Sequence, residues 1–395
     1  MLQVTTSLWW RLSTLKTRVW QPGLFACTLR TTAQRLLRGE LSQHKKELSQ
    51  ILQREVSVLQ GKTGVTGAPT TALKIIATGI ALPGEKIVSA TLDRQLGKPE
   101  GYVERRSNIL WRYHATAEAS QAALAAEALH NALASASLAP SSIDLLICAS
   151  AIAVQALPCS AIHILQAANM PAGVAGFDIN SSCVSFISAL EVAAGLLNSG
   201  AYRRIAIVSA DIASRGIDWA HEESSLIFGD GAACAIVERG DGASGIVASL
   251  IEMYPDGSEL CEIRAGGTRR NPRAGMTDRD FLFHMQGKRL FRFAASLIED
   301  YFARLLQKSG IALDEIATVV PHQASHLSLE HMRKRLKVPE AVLVDIYRYY
   351  GNQVAASIPT ALHEAVISGR FQPGKPVMLI GTAAGLTLAG MVLIP

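Results

Sequence analysis

The chain has 395 residues, of which 49% are hydrophobic and 18% charged, a composition that predicts a large buried core and excludes an intrinsically disordered chain. The formal net charge is +5, and six basic residues without any acidic residue in 1–39 account for this excess. Because the rest of the chain is near neutral, no nucleic-acid-binding surface is predicted. No apolar run reaches the roughly 18 residues of a membrane span.

The N-terminal residues differ in composition from the rest of the chain. Residues 1–39 are rich in arginine and free of acid, which is typical of an organellar transit peptide, and equally of an extension without a fold of its own. Apolar spacing predicts an amphipathic helix over 40–60, and Gly, Pro and Thr predict a linker over 61–71. We predict an N-terminal extension, 1–71, and a cytoplasmic protein, or a mitochondrial or plastid one if 1–39 is a transit peptide.

From Ala72 onward, short β-branched strands alternate with alanine-rich helices. The first predicted elements are strand 73–78, helix 118–137, strand 143–149, helix 158–168, strand 176–179, helix 183–198, strand 204–210, and two neighbouring strands, 225–237 and 244–252. The second set is helix 286–308, strand 316–320, helix 325–336, strand 342–345, helix 353–368, strand 376–381 and strand 386–394. A strand that is followed by a helix and then by another strand predicts parallel sheets covered by helices.

The order of elements is similar in the two parts of this region. It indicates two copies of one unit, although the sequences differ too much for a detectable repeat. We therefore predict an N-terminal half, 72–240, and a C-terminal half, 241–395, within an α/β fold.

The six cysteines show no paired or metal-like spacing, so reduced thiols and no metal site are predicted. Cys183 differs from the others, because it follows a short apolar strand at the point where a helical run begins. A helix N-terminus favours thiolate over thiol. His322 and Asn352 lie at similar junctions further along the chain, and the three side chains can converge into one site for acyl transfer through a thioester.

Four motifs accompany these residues. They are Gly229-Asp230-Gly231-Ala232-Ala233, Pro321-His322-Gln323-Ala324, Gly351-Asn352 followed by Ala355-Ala356-Ser357-Ile358-Pro359, and the loop Gly381-Thr382-Ala383-Ala384-Gly385. In order and spacing they resemble the β-ketoacyl-acyl-carrier-protein synthase III family and its thiolase-fold relatives. The resemblance covers about 72–395. It implies a duplicated thiolase-like fold with five layers, α-β-α-β-α, and a homodimer.

The resemblance also implies a reaction. Cys183 takes an acyl group from an acyl-CoA primer, and the backbone N–H groups of Cys183 and Ala384 form the oxyanion hole. A malonyl thioester then loses carbon dioxide, and His322 and Asn352 stabilise the enolate that attacks the acyl group. Relatives that transfer acyl groups without condensation tend to have Asp in place of Asn352, so Asn favours decarboxylative condensation. Coenzyme A enters as a thioester substrate, and no permanently bound cofactor is expected.

The same resemblance implies substrate contacts. Tyr102, Arg106 and Arg215 match coenzyme A-binding positions, although the family usually has Trp in place of Tyr102; a solvated basic stretch would have the same composition. Ser107-Asn108 replaces the family's Thr-Gly, so this loop is expected to differ in shape.

Arg292, Lys334 and Arg335 match a basic patch for an acyl carrier protein, which is acidic. The family's Gln-Ala-Asn-x-Arg motif reads Gln323-Ala324-Ser325-His326-Leu327 here, so a specialised carrier or a coenzyme A-linked second substrate is an alternative. Leu157 matches an acyl-pocket position at the dimer interface. Its size predicts room for primers longer than acetyl, unless neighbouring residues compensate.

Two other functions stay open at this point. In the first, Cys183 loads an acyl group and passes it to an oxygen or nitrogen nucleophile without condensation. In the second, the chain is a non-catalytic partner of a paralogous synthase. Release of carbon dioxide from a malonyl thioester distinguishes the first alternative from condensation, and acylation of Cys183 distinguishes the second.

Overall fold

The computed structural model describes residues 69–395. The predictions for 1–60, and for the linker as far as residue 68, lie outside the described residues. Thr71, the last residue of the predicted linker, already belongs to a strand and is paired with Ile246. Within 69–395, no helix combines the length and the apolar character that crossing a bilayer requires.

Strands and helices alternate along the described residues. The strands are β1 (Thr71–Ala72), β2 (Lys74–Ala81), β3 (Glu85–Val88), β4 (Trp111–His114), β5 (Leu145–Cys148), β6 (Ala175–Asp178), β7 (Arg204–Asp211), β8 (Gly231–Glu238), β9 (Gly245–Met253), β10 (Cys261–Glu262), β11 (His284–Met285), β12 (Thr318–Pro321), β13 (Val377–Ala383) and β14 (Thr387–Ile394). The α-helices are α1 (Ser89–Gln95), α2 (Tyr102–Ser107), α3 (Gln121–Ser135), α4 (Ser160–Ala167), α5 (Ser185–Asn198), α6 (Glu222–Ser225), α7 (Gly287–Ser309), α8 (His326–Arg335), α9 (Tyr347–Tyr350) and α10 (Ser357–Ile367).

Two five-stranded sheets share one topology. The first has the order β2-β8-β7-β5-β6, in which β5, β6 and β7 are parallel and β8 runs antiparallel to both β2 and β7. The second has the order β1-β9-β14-β13-β12, and Leu343 adds a single parallel bridge beyond β12. Apart from β1, each strand of the second sheet therefore has a counterpart in the first, in the same order. The boundary between the two halves, placed between residues 240 and 241, stays a prediction.

The sheets are apolar on both faces, which is why helices cover both. Along β5, Leu145 and Ile147 pack in the core that contains α5 and α10, whereas Leu146 and Cys148 pack towards α3 and α4. Side chains of β13 alternate in the same way between that central core and the helices α7 and α8. The structure therefore has five layers. In order, they are the helices α3 and α4, the first sheet, the helices α5 and α10, the second sheet, and the helices α7 and α8. The predicted duplicated five-layer α/β fold is confirmed.

Three details differ from the sequence expectations. The strands predicted at 225–237 and 244–252 are β8 and β9, and they are not neighbours, because the turn between them carries the chain from one sheet to the other. A strand–turn–strand sequence does not distinguish such a crossover from a hairpin. The strand predicted at 342–345 is reduced to the bridge at Leu343. Residues 85–114, for which no element was predicted, form β3, α1, α2 and β4.

Candidate active site

Cys183 lies between the end of β6 and the start of α5, two residues before the first helical residue. Ser182, immediately before it, has φ of 54°, a left-handed conformation that is uncommon for a residue with a side chain. Burial raises the pKa of the Cys183 thiol to about 12, and hydrogen bonds from backbone N–H groups lower it without outweighing burial. The expected preference for thiolate is therefore wrong for the free protein, because desolvation exceeds the effect of the helix end.

The two N–H groups that lower this pKa belong to Ala384 and to Cys183 itself. They are the pair that the sequence predicted as an oxyanion hole. Ala384 follows β13 in a tight turn in which Gly385 has φ of 75° and Leu386 φ of 44°. This turn directs the Ala384 N–H towards the sulfur.

His322 follows β12 and is buried, and its Nδ1 atom has no hydrogen-bond partner among the described residues. Burial lowers its pKa to about 4, so the imidazole is neutral near pH 7. Gly381 lies against both His322 and Val184, the residue before α5. A Cβ atom at Gly381 would lie 2.9 Å from His322 Cβ and 3.0 Å from Val184 Cγ1. His322 and the residue after Cys183 therefore both lie close to Gly381, which must stay small.

Asn352 is also buried, and its backbone forms a parallel bridge with Phe228. Its Nδ2 atom donates to the Ala324 carbonyl at 3.2 Å, and its Oδ1 atom accepts from the Val354 N–H at 2.9 Å. Val354 has φ of 54°, a strained value for a β-branched residue. These contacts fix the amide orientation and leave the second Nδ2 hydrogen available to a ligand.

The three predicted residues are thus connected through their immediate neighbours. Ala384 contacts Cys183, Val184 and His322 both lie close to Gly381, and Ala324 joins the His322 loop to Asn352. The arrangement places a buried cysteine sulfur near several neutral hydrogen-bond donors. Such a site can accept an acyl group and stabilise a developing negative charge on oxygen.

Asp211, at the end of β7, supports this site and was not predicted. Its carboxylate accepts the N–H groups of Ala151 and Ile152 in the first half and of Ala355, three residues after Asn352, in the second. Burial raises its pKa to about 7, although these N–H groups lower it. A carboxyl group that ends an otherwise apolar strand was the signal for it in the sequence.

Gln323 holds the His322 loop from the other side. Its Nε2 atom donates to the carbonyls of Pro321 and Val344, and its Oε1 atom accepts the Ile346 N–H at 3.0 Å. This buried amide therefore ties the end of β12 to the segment that leads to Asn352.

The predicted coenzyme A residues lie on the surface. The Tyr102 hydroxyl donates to Glu222 Oε2 at 2.7 Å. Arg106 is exposed, and its charge helps to lower the pKa of the Glu222 carboxyl group. The Arg215 guanidinium donates to the carbonyl of Ala117 at 3.0 Å and to two neighbouring carbonyls, so it is directed to the 116–119 turn.

The three basic residues of the predicted carrier-protein patch differ in whether an acidic side chain pairs with them. Lys334 pairs with Glu330 at 2.9 Å, and Arg335 pairs with Glu299. Arg292, near the start of α7, donates to the Lys288 carbonyl and has no acidic partner among the described residues. Leu157, the predicted acyl-pocket residue, is 83% exposed in the loop between β5 and α4.

Known proteins match most of this chain. Residues 177–255 match the family profile of 3-oxoacyl-[acyl-carrier-protein (ACP)] synthase III, and 306–394 match that of its C-terminal part. The curated β-ketoacyl-[acyl-carrier-protein] synthase III of Aquifex aeolicus is 32% identical over 323 residues, which cover 81% of this chain and 98% of that protein.

Solved structures agree with the sequence matches. The crystal structure of the 3-oxoacyl-[acyl-carrier-protein] synthase III from Aquifex aeolicus has a TM-score of 0.73 at 28% identity, covering 82% of this chain and all of that one. The priming β-ketosynthase from the R1128 polyketide biosynthetic pathway has a TM-score of 0.73 at 26% identity, covering 85% of this chain and 99% of that one.

Proposed function

Because the chain belongs to the β-ketoacyl-acyl-carrier-protein synthase III family, and is an acyltransferase that makes carbon–carbon bonds by decarboxylative Claisen condensation, we propose that Cys183, His322 and Asn352 carry out its two half-reactions. The reaction belongs to fatty acid or polyketide-type biosynthesis. Cys183 acts in both half-reactions, whereas His322 and Asn352 act in the second.

In the first half-reaction the Cys183 sulfur attacks the carbonyl carbon of an acyl-CoA primer. The carbonyl oxygen becomes an oxyanion, and the N–H groups of Cys183 and Ala384 donate to it. When the tetrahedral intermediate collapses, the coenzyme A sulfur leaves with the bonding pair. Cys183 loses its thiol proton, and the leaving coenzyme A thiolate gains one. The charge of the buried site is therefore the same before and after this half-reaction.

In the second half-reaction a malonyl thioester replaces coenzyme A. Its carbon–carbon bond to the carboxylate breaks, carbon dioxide leaves, and the electron pair forms an enolate. His322 and the free Nδ2 hydrogen of Asn352 donate to the enolate oxygen. The enolate carbon then attacks the acyl carbon, and the Cys183 sulfur leaves as thiolate and takes up one proton from solvent.

One observation supports these roles above the others: the donors around Cys183 are neutral. His322 has a pKa of about 4 because it is buried, so it donates a hydrogen bond without readily protonating the enolate carbon. Asn352 bears no charge that would repel an enolate. Since N–H groups supply all the stabilisation, the proposed chemistry requires neither a metal nor a bound cofactor.

The substrates and partners belong to this proposal as well. We propose an acyl-CoA primer, a malonyl thioester carried by coenzyme A or by an acyl carrier protein, a homodimer and a cytoplasmic location. Tyr102, Arg106 and Arg215 would contact coenzyme A, and Arg292, Lys334 and Arg335 the carrier protein. Leu157 would line the acyl pocket at the interface of this proposed dimer.

The test follows both half-reactions on one preparation. The protein is incubated with acyl-CoA primers of increasing length, and the acyl group on Cys183 is located by mass spectrometry. Malonyl-CoA or malonyl-carrier protein is then added, and carbon dioxide and the β-ketoacyl product are measured. Acylation followed by stoichiometric carbon dioxide release is expected.

Two outcomes would contradict the proposal. Acylation of Cys183 without carbon dioxide release would favour transfer to an oxygen or nitrogen nucleophile. The absence of any adduct on Cys183, with every primer tried, would favour the non-catalytic partner of a paralogous synthase.

A further inference from the structure

The backbone of Asn352 is held by a short segment that follows α6, residues 226–230. The Asn352 N–H donates to the Ile227 carbonyl at 2.8 Å, and the Asn352 carbonyl accepts the Gly229 N–H at 3.1 Å. Phe228, between these two residues, forms the parallel bridge with Asn352. The position of the Asn352 amide therefore depends on where the 226–230 segment lies.

Two side chains of β4 bind the same segment. The Arg112 Nη1 atom donates to the Leu226 carbonyl at 2.7 Å. His114 Nε2 donates to the Phe228 carbonyl at 3.3 Å, since a carbonyl oxygen can only accept. These are not the groups to which Asn352 binds. β4 and Asn352 therefore bind different backbone groups of one segment.

The 226–230 segment is tightly packed at Gly229. A Cβ atom there would lie 2.0 Å from the Tyr350 carbonyl oxygen and 3.4 Å from Arg112 Cβ. Tyr350 belongs to α9, which leads to the proposed enolate donor, and α9 also packs on β4: the ring centres of Trp111 and Tyr349 are 4.6 Å apart. A shift of β4 or of its side chains is therefore transmitted to both segments that meet at this donor.

Arg112 is a fully buried cation whose hydrogen-bond partners are neutral. Besides the Leu226 carbonyl, it donates from Nη2 to Ser89 Oγ at 2.8 Å, and its Nε atom has no partner within residues 69–395. Burial lowers its pKa to about 10, so the guanidinium stays charged near pH 7. A buried charge without a counter-ion lowers the free energy of unfolding. Stability alone therefore does not account for an arginine at this position.

We propose that Arg112 is a positioning residue for Asn352, and that it acts through its hydrogen bond to the Leu226 carbonyl. Without the guanidinium this carbonyl loses its donor, the 226–230 segment shifts, and the Asn352 amide moves with it. A displacement of about 1 Å can lower a rate about 10²-fold, so a small shift is enough. This inference rests on the proposed role of Asn352 in stabilising the enolate.

The two N–H groups that bind the Cys183 sulfur lie on other elements. They belong to the residue itself, before α5, and to Ala384, in the turn after β13. Within the part of the chain that the structure describes, neither N–H donates to β4. Loss of Arg112 should therefore slow the second half-reaction and spare the first, whereas a general loss of structure would slow both.

The test measures the two half-reactions separately in Arg112→Met, which keeps a long side chain and removes the donors. The primer is the acyl-CoA that loads Cys183 fastest. Acylation is expected to stay within about threefold, and carbon dioxide release from malonyl-CoA or malonyl-carrier protein by the acylated protein to fall about 30-fold. The matched control is Arg204→Met, which breaks the pair with Glu238 at the opposite end of β7 from Asp211 and should change neither rate.

A double-mutant cycle distinguishes positioning from a general structural effect. Asn352→Ala removes the amide that Arg112 is proposed to position, so adding Arg112→Met should lower carbon dioxide release by less than about a further twofold. The inference is overturned by a further loss as large as that of the single variant. Equal losses of acylation and of carbon dioxide release in Arg112→Met would overturn it as well.

His114→Ala provides a milder second variant, and thermal denaturation checks the fold of each protein. It removes one neutral donor, that of the Phe228 carbonyl, so carbon dioxide release should fall about threefold with acylation unchanged. If Arg112→Met does not fold, this variant decides the inference, and equal effects on the two steps would overturn it.

Failure of the proposed function gives a different result. In that case the unsubstituted protein is not acylated at Cys183, or Asn352→Ala releases carbon dioxide at the unsubstituted rate. Failure of the inference leaves both of these measurements as expected and changes only the results for Arg112→Met and His114→Ala.

Discussion

The two halves of the molecule share a strand order but differ in the connection before their last strand. In the first sheet, a long connection between β7 and β8 carries Arg215 and the α6 helix with Glu222. In the second sheet, the corresponding connection between β13 and β14 is a tight turn, and it directs the Ala384 N–H towards Cys183. The same position in the topology therefore reaches the surface in one half and the sulfur of Cys183 in the other.

The duplicated scaffold therefore fixes where each of these connections begins. The length of the connection determines which part of the molecule it reaches. The first half supplies Cys183, the proposed nucleophile, from the connection between β6 and α5. The second half supplies His322, Asn352 and one of the two proposed oxyanion donors. Neither half contains a complete site, so substitutions in one half and in the other should affect different steps of the reaction.

The largest effect should come from the nucleophile of the first half. Cys183→Ala removes the only sulfur proposed to hold an acyl group, so acylation by acyl-CoA should fall at least about 10³-fold. The exposed Cys159 provides the control, since Cys159→Ala should leave acylation unchanged. Mass spectrometry of the labelled protein measures both, and an adduct on another cysteine of the Cys183 variant would show that the nucleophile was wrongly assigned.

The second effect tests the contribution of the other half. Asn352→Asp places a negative charge where the enolate oxygen develops, so decarboxylation should fall about 10³-fold while acylation of Cys183 changes little. Carbon dioxide release and acyl transfer are measured separately. Equal losses in both steps would remove Asn352 from the enolate role and assign it to the general structure of the site.

A pair of insertions compares the two connections directly. One glycine inserted after Gly385 displaces the Ala384 N–H, so acylation should fall about 10²-fold, the cost of one oxyanion donor. One glycine inserted after the exposed Ala220, in the long connection, should change acylation less than about threefold. Thermal denaturation confirms that both variants fold, and similar losses in two folded variants would contradict the assigned roles.

The smallest effect concerns protonation of His322. Its pKa is about 4 in the folded protein and 6.5 ordinarily, so between these values the unfolded chain binds more protons, and stability falls as pH decreases from 6.5 towards 4. At pH 5 this loss amounts to about 2 kcal/mol relative to pH 8. Urea denaturation at both pH values, with His322→Gln as the reference, measures it. An identical pH dependence in both proteins would mean that burial does not depress this pKa.

Much of the fold was predictable because its signals are local. The strand runs 143–149 and 204–210, like the helices 118–137 and 286–308, were predicted to within a few residues, since apolar periodicity depends only on adjacent residues. Cys183, His322 and Asn352 were proposed as site residues from motifs that lie at the ends of such elements. The placement of β8 and β9 in different sheets was not predictable, because the same local pattern fits a hairpin and a crossover.

The sequence by itself indicated most of the strands and helices in their order and the three residues proposed for the site. Only the tertiary structure decided their chemical states. Burial keeps the Cys183 thiol protonated and His322 neutral, Asp211 in the first half binds the Ala355 N–H in the second, and Glu299 neutralises Arg335. The physical reason is that desolvation and charge pairing depend on residues distant along the chain, whereas periodicity and capping depend on adjacent ones.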